Sequence, residues 1–259
     1  MLRKAYVLGT AALVAALLTG CTSGSSGDRT DHANPAGADT TAPAAQPGKY
    51  RTLPEACGAV PRGTLEALLP GLAQITDPNQ RERAYAGRAT LTYDTDRRTG
   101  CRWKVESAHA TDHLHVDFER VVSYDNTVSD DSQAESVFAA KQAAANLPEP
   151  TSIQSSGANS GSSSSPSSSA SVPTDVATAD LRPRALSDLG DEAFLDDSLT
   201  TSGSTSQQRT VTVAFRTSNV IVTIEYTEQP TRVGVVPDSE EMQDRARKLA
   251  DQLADSLSD

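Results

Sequence analysis

The sequence predicts an α+β fold in which an antiparallel sheet packs against helices. Two runs of alternating, β-branched residues, 209–215 and 220–226, indicate neighbouring strands. Residues 240–257 place apolar side chains on one helical stripe and indicate a C-terminal helix. Two stretches almost without large apolar residues indicate a disordered N-terminal tether and a Ser-rich disordered insert.

The first twenty residues carry the strongest signal in the chain. Arg3 and Lys4 precede an apolar run that is too short for a membrane span, and small residues then lead to Cys21. This order is typical of a lipoprotein signal peptide with a lipobox. We expect a diacylglycerol on the Cys21 thiol, and acyl chains such as palmitate would then anchor the exported protein to the outer face of the cytoplasmic membrane. The alternative is a plain secretory signal with an incidental cysteine.

Composition divides the chain into five segments. They are the signal peptide (1–20), the lipidated Cys21 with its tether (21–49), a first ordered half (50–149), the Ser-rich insert (150–178) and a second ordered half (179–259). Each half is small for an independent hydrophobic core. We therefore expect the halves to form one α+β domain with an insertion.

The first half contains helix and strand patterns in turn. Residues 62–69 carry Leu at helical spacing and predict a short helix that ends at Pro70. Alternation at 88–93 and 100–106 predicts two strands joined by a turn, and 113–119 predict a half-buried strand. The Ala-rich residues 132–146 predict a helix.

The second half adds a hairpin and the final helix. Residues 216–219 join its two alternating runs. Gly190 and Asp191 suit a tight turn, after which Ala193 and Phe194 re-enter the core. The final helix carries Met242, Ala246, Leu249, Leu253 and Leu257 on one face.

Two cysteines remain once Cys21 is assigned to the lipid. An exported compartment allows Cys57 and Cys101 to oxidise, so we expect a disulfide between them. Trp103 lies two residues after Cys101 and shares its strand face. A redox or metal role for the pair lacks the CxxC spacing.

The charge of the chain limits its partners. It holds 23 Lys and Arg against 34 Asp and Glu, a net charge of −11, and shows no local run of Lys and Arg. We therefore expect no nucleic-acid partner. Membrane attachment depends on the lipid, because an acidic surface repels anionic head groups.

One strand carries the candidate metal ligands. His113 and His115 alternate with apolar residues, as do Asp117 and Glu119, and His109 lies nearby. Imidazole and carboxylate groups on one face suit zinc. We favour the simpler interpretation, the solvent face of an edge strand, and expect no cofactor.

The sequence gives little support for an enzyme. It contains no GxSxG, HExxH, P-loop or dinucleotide motif. Three pairs of adjacent carboxylates stand in polar surroundings, and we interpret them as solvated loops or helix starts. They are Asp130-Asp131, Asp196-Asp197 and Glu240-Glu241.

Several short motifs coincide with the lipobox and tether. They are LPEAC at 53–57, GCRW at 100–103, LGDEAF at 189–194 and RTSNVIV at 216–222. The chain resembles actinobacterial lipoproteins grouped as a domain-of-unknown-function family, and more distantly is similar to extracellular sensor domains of receptor kinases. The resemblance covers residues 50–259 without the insert. It implies an extracytoplasmic α+β domain with a Cys57–Cys101 bridge, and it implies no catalytic residues.

The sequence thus predicts a non-catalytic, lipid-anchored binding, accessory or sensor module. Its expected partner is an envelope protein or a small ligand. The alternative is an envelope hydrolase or transferase acting on cell-wall or lipid substrates, which a Ser or Asp beside a His in a concave site would favour. A metal-responsive sensor built on His109, His113 and His115 is a third hypothesis.

Overall fold

The computed structural model describes residues 45–147, 181–202 and 206–258. The predicted signal peptide, Cys21, the predicted Ser-rich insert and residues 22–44 of the tether lie outside these residues. The last part of the predicted tether belongs to the fold, because the Gly48 amide donates to the Asp130 carboxylate at 2.9 Å. Of the described helices, none is both long and apolar enough to cross a membrane.

Within the described residues, seven antiparallel strands form one sheet in the order β1-β2-β3-β7-β6-β5-β4. The β3–β7 pairing joins the strands that precede the predicted insert to those that follow it. The predicted α+β fold with an antiparallel sheet is therefore confirmed. The strands are β1 (Arg88–Ala89), β2 (Arg98–Glu106), β3 (Ala110–Arg120), β4 (Arg184–Leu186), β5 (Glu192–Ser202), β6 (Ser206–Thr217) and β7 (Val220–Pro230).

Helices pack on both faces of the sheet, but to different extents. The main core lies between the sheet and α1, the 3₁₀ helix and α4. A smaller core lies on the opposite face, where Phe138 of α3 packs 5.6 Å from the Phe194 ring. The helices are α1 (Arg62–Leu68), a 3₁₀ helix (Pro70–Gln74), α2 (Pro78–Ala86), α3 (Asp130–Ala144) and α4 (Ser239–Ser258).

Alternation along the strands separates the two cores. Val213 and Phe215 of β6 point into the main core, whereas Ala214 between them points toward α3. α3 covers only part of this face of the sheet, around β5, β6, β7 and the end of β3, and the rest of the face remains uncovered. We call the uncovered part, formed mainly by β1, β2 and β3 with the adjacent ends of β7 and β6, the open face.

Two predicted boundaries differ from the structure. The predicted strand at 88–93 ends at Ala89, and Leu91 and Tyr93 beyond it are fully exposed. The helix expected to end at Pro70 is followed directly by the 3₁₀ helix, which Pro70 begins. Proline is tolerated there because the first residues of a helix need no amide donor.

Candidate functional site

A disulfide and a glycine fix one edge of the open face. The expected Cys57–Cys101 disulfide is present, and Trp103 is buried on the same side of β2 as Cys101. The Trp103 indole donates to the Tyr85 carbonyl at 3.0 Å, at the end of α2. Gly87 has φ +65°, and a Cβ there would lie 2.7 Å from the Cys101 sulfur. Only glycine allows this close approach, which holds α2 and β1 against β2.

A groove of about 1180 Å³ crosses the open face. It is larger than most small-molecule sites, which occupy about 300–1,000 Å³. It runs from the edge formed by α2 and β1, over β2 and β3, to β7 and β6. Its polar lining consists of Arg83, Arg88, Arg102, Lys104, His113, His115, Gln208, Glu225 and Thr227.

Cations concentrate at the α2 and β1 end of the groove. Arg88 and Arg102 are cross-strand partners in β1 and β2, and Arg83 lies in the last turn of α2. Within the described residues, none of the three guanidinium groups forms an ion pair or hydrogen bond. Lys104 is paired with Glu106 at 2.7 Å. The fold thus assembles the basic cluster that the sequence order does not show.

The candidate histidines lie in the middle of the groove. His113 and His115 share its floor, as their alternation predicts. The edge-strand interpretation is wrong, because β3 pairs with β2 on one side and β7 on the other. Asp117 does not line the groove, since it is buried against Arg98, whose Nε lies 2.9 Å from its Oδ1. His109 lies in the loop between β2 and β3.

His115 connects a hydroxyl to a carboxylate. Its Nδ1 lies 3.4 Å from Glu225 Oε2, and its Nε2 lies 3.5 Å from Thr90 Oγ1. The contact with His115 lowers the pKa of Glu225 against the opposing effect of burial. Both separations exceed the about 2.6–3.2 Å that suits proton transfer between a nucleophile and its base.

His113 stands beside a cation. Lys104 is its cross-strand partner. Burial, and to a smaller extent the Lys104 charge, lowers the pKa of His113, while Glu106 acts in the opposite direction.

Among the residues that the structure describes, no group of three or more His, Cys, Asp or Glu side chains could hold a metal ion.

One of the three carboxylate pairs has a buried member. Asp197 is buried on the core side of β5, where its Oδ1 accepts from Arg209 at 2.5 Å and its Oδ2 accepts from Gln243 at 2.7 Å. The solvated interpretation of Asp197 is therefore wrong, because it overlooked a buried cation partner. The other two pairs stand in the first turns of α3 and α4, as the helix-start interpretation predicts.

A second buried carboxyl lies on the core side of β3. Asp112 is 1% exposed, and its Oδ2 has no hydrogen-bond partner within the described part of the chain. Burial raises the pKa of Asp112 to about 7; Glu228, its cross-strand partner on β7, adds to the effect, and Arg245 of α4 opposes it. Asp112 is therefore largely protonated below pH 7.

Asp112 should make stability depend on pH. Its pKa is about 3.9 in the unfolded chain and about 7 in the folded protein. At pH values between these two, folding is therefore coupled to the uptake of a proton by Asp112. We expect the free energy of unfolding to fall as pH rises from about 4 to 7, by about 4 kcal/mol at most. Urea unfolding of the wild type and Asp112→Asn across this range measures it. The variant should show a shallower fall, and parallel curves would contradict the assignment.

Comparison with known proteins leaves the family open. No protein-family model, curated protein or solved structure matches the chain. The lipoprotein resemblance therefore stays a prediction.

Proposed function

We propose that this chain is an exported lipoprotein, anchored through Cys21 to the outer face of the cytoplasmic membrane. The folded part, in this proposal, is a non-catalytic binding, accessory or sensor module. The observation that best supports export is the Cys57–Cys101 disulfide. Such bonds persist in oxidising compartments and are rare in the cytosol. The signal-peptide pattern before Cys21 supports the same location.

The open-face groove supports binding as the activity. It places Arg83, Arg88 and Arg102, which have no partner among the described residues, at one end and the polar groups of Glu225 and Thr227 at the other. Ligand sites commonly combine a concave surface with a few placed polar groups. The contacts of His115 with Thr90 and Glu225 are longer than those of a working nucleophile–base pair.

Co-purification from the native envelope tests the binding function. The wild type is compared with an Arg88→Gln, Arg102→Gln variant and with a control that loses two exposed arginines elsewhere, Arg232→Gln, Arg247→Gln. Mass spectrometry identifies the proteins and small molecules that co-purify with each detergent-extracted lipoprotein. We expect a species that accompanies the wild type and the control and is depleted from the groove variant. Identical profiles for all three would contradict the proposal.

The contacts of Thr90, His115 and Glu225 are the one observation that favours the hydrolase alternative. A hydroxyl, an imidazole and a carboxylate in this order resemble a nucleophile, its base and the group that orients the base. Hydrolysis of p-nitrophenyl acetate by the wild type, Thr90→Val and His115→Asn separates the two functions. Binding alone predicts the same background rate for all three. A rate that both substitutions abolish, with His113→Asn unaffected, would favour the hydrolase.

A further inference from the structure

We propose that the open-face groove binds a polyol phosphate, with the phosphate at Arg83, Arg88 and Arg102 and hydroxyl groups toward Glu225 and Thr227. This inference depends on the proposed binding function, since it names the ligand of the same groove. It assigns one chemistry to each end of the groove. The main support comes from the charges at the arginine end, which no described side chain neutralises.

The pairing of Arg88 with Arg102 is unfavourable in the isolated protein. The two residues are directly opposite each other in β1 and β2, and like charges in cross-strand positions destabilise a sheet. The chain has 34 acidic residues, yet no described carboxylate pairs with either guanidinium. An anionic ligand would relieve this repulsion. Conflicts of local preference of this kind are expected at functional sites.

Arg83 adds a third cation from a different element. It lies in the last turn of α2 and lines the same groove. Gly87 and the Trp103–Tyr85 hydrogen bond hold the end of α2 against β2. Two arginines on the sheet and one on α2 can therefore approach an anion from two directions.

Three guanidinium groups suit a phosphate better than a carboxylate. A phosphate monoester offers three acceptor oxygens and nearly two negative charges at neutral pH, whereas a carboxylate offers two oxygens and one charge. Arginine presents its donors as a planar fork that matches either group. Three arginines without a partner in the described part of the chain therefore favour phosphate.

The opposite end of the groove suits hydroxyl groups. Glu225 is half-exposed and interacts with His115 only through Oε2 at 3.4 Å. Its pKa is lowered by that contact, so it is an acceptor at neutral pH. Thr227 and Gln208 line the groove beside it and can donate or accept. A second anionic group is disfavoured there because Glu225 would repel it.

Titration calorimetry with small probes tests the ligand chemistry. The full-length lipoprotein, in an uncharged polyoxyethylene detergent, is titrated with glycerol 3-phosphate, inorganic phosphate, glycerate and glycerol. We expect binding of glycerol 3-phosphate that Arg88→Gln, Arg102→Gln weakens at least about tenfold, while the Arg232→Gln, Arg247→Gln control stays within about twofold. An equal loss in both variants would indicate unspecific attraction and overturn the proposal.

The remaining probes separate the two ends of the groove. Glycerate should bind about tenfold more weakly than glycerol 3-phosphate, and equal affinities would overturn the choice of phosphate. The preference of the wild type for glycerol 3-phosphate over inorganic phosphate should fall by about fivefold in Glu225→Gln. An unchanged preference would overturn the hydroxyl assignment.

The experiments can contradict the assignment of a phosphate ligand without contradicting the proposed binding function. No binding of either phosphate probe, together with co-purification that still depends on Arg88 and Arg102, would overturn the phosphate assignment alone. If neither phosphate probe binds and co-purification is identical for all variants, the proposed function is overturned as well.

Discussion

Replacing Asp197 with Ala is expected to destabilise the protein by about 3–5 kcal/mol. The Arg209 side chain is only 6% exposed, and its charge is balanced by Asp197 at 2.5 Å. The Arg209 Nε also donates to the Pro237 carbonyl at 3.0 Å. Removing the carboxylate would leave this guanidinium buried without a counter-charge, and the Gln243 amide would lose one of its two described acceptors, keeping the Ser239 hydroxyl. Urea unfolding of the oxidised protein measures the loss.

The neighbouring carboxylate provides a matched control. Asp196 lies on the opposite side of β5, where burial raises its pKa. Asp196 is only partly buried and forms no ion pair within the described residues, so Asp196→Ala should change stability by no more than about 0.5 kcal/mol. A double variant, Asp197→Leu, Arg209→Met, should be less destabilised than Asp197→Ala because it leaves no buried charge. Equal losses in Asp196→Ala and Asp197→Ala would contradict a structural role for this ion pair.

Removing the disulfide should have the second largest effect. Cys57→Ala, Cys101→Ala is expected to lose about 2–5 kcal/mol, because the bond closes a loop with a sequence separation of 44 residues. Cys101 is fully buried beside Trp103. The expected result is a lower midpoint in urea unfolding.

Reduction of the wild type is the control for this prediction. Reducing agent should lower the wild-type midpoint toward that of the double variant and leave the variant unchanged. If the wild type is insensitive to reduction under conditions in which its thiols become titratable, the bond contributes no stability. The edge of the groove formed by α2 and β1 would then need another source of rigidity.

Most of the fold follows from hydrophobic periodicity. The alternation at 100–106, 209–215 and 220–226 predicts β2, β6 and β7, and the apolar stripe of 240–257 predicts α4. Periodicity fails where an element buries little. α2 contains no buried residue, so it has no apolar stripe. Its Asp77 cap, which accepts from the Gln80 amide at 2.7 Å, and Pro78 are the signals that could have identified it.

β5 illustrates a different limit. Residues 196–198 are polar on both faces, and the sequence interpretation therefore treats them as solvent-exposed. Asp197 is nevertheless buried, because Arg209 on the neighbouring strand β6 provides a counter-charge and Gln243 on α4 donates a hydrogen bond. Long-range pairing of this kind leaves no local pattern in the chain.

The candidate site was predictable in part. Alternation places His113 and His115 on one face, whereas the approach of Arg88 to Arg102 depends on the register between β1 and β2, which the sequence pattern does not specify. The position of β3 inside the sheet depends on its pairing with β7, which sets His115 opposite Glu225. That pairing spans residues 110–230, and sequence patterns do not specify strand order over such a distance.

The most direct test of the lipoprotein proposal is the intact mass of the protein purified from the membrane of its native host. We predict a mature chain that begins at Cys21, carries a diacylglyceryl group there and has Cys57 and Cys101 oxidised. It should fractionate with the membrane and be accessible to protease added outside the cell. A chain with an intact N-terminus, no lipid and free thiols would contradict the account.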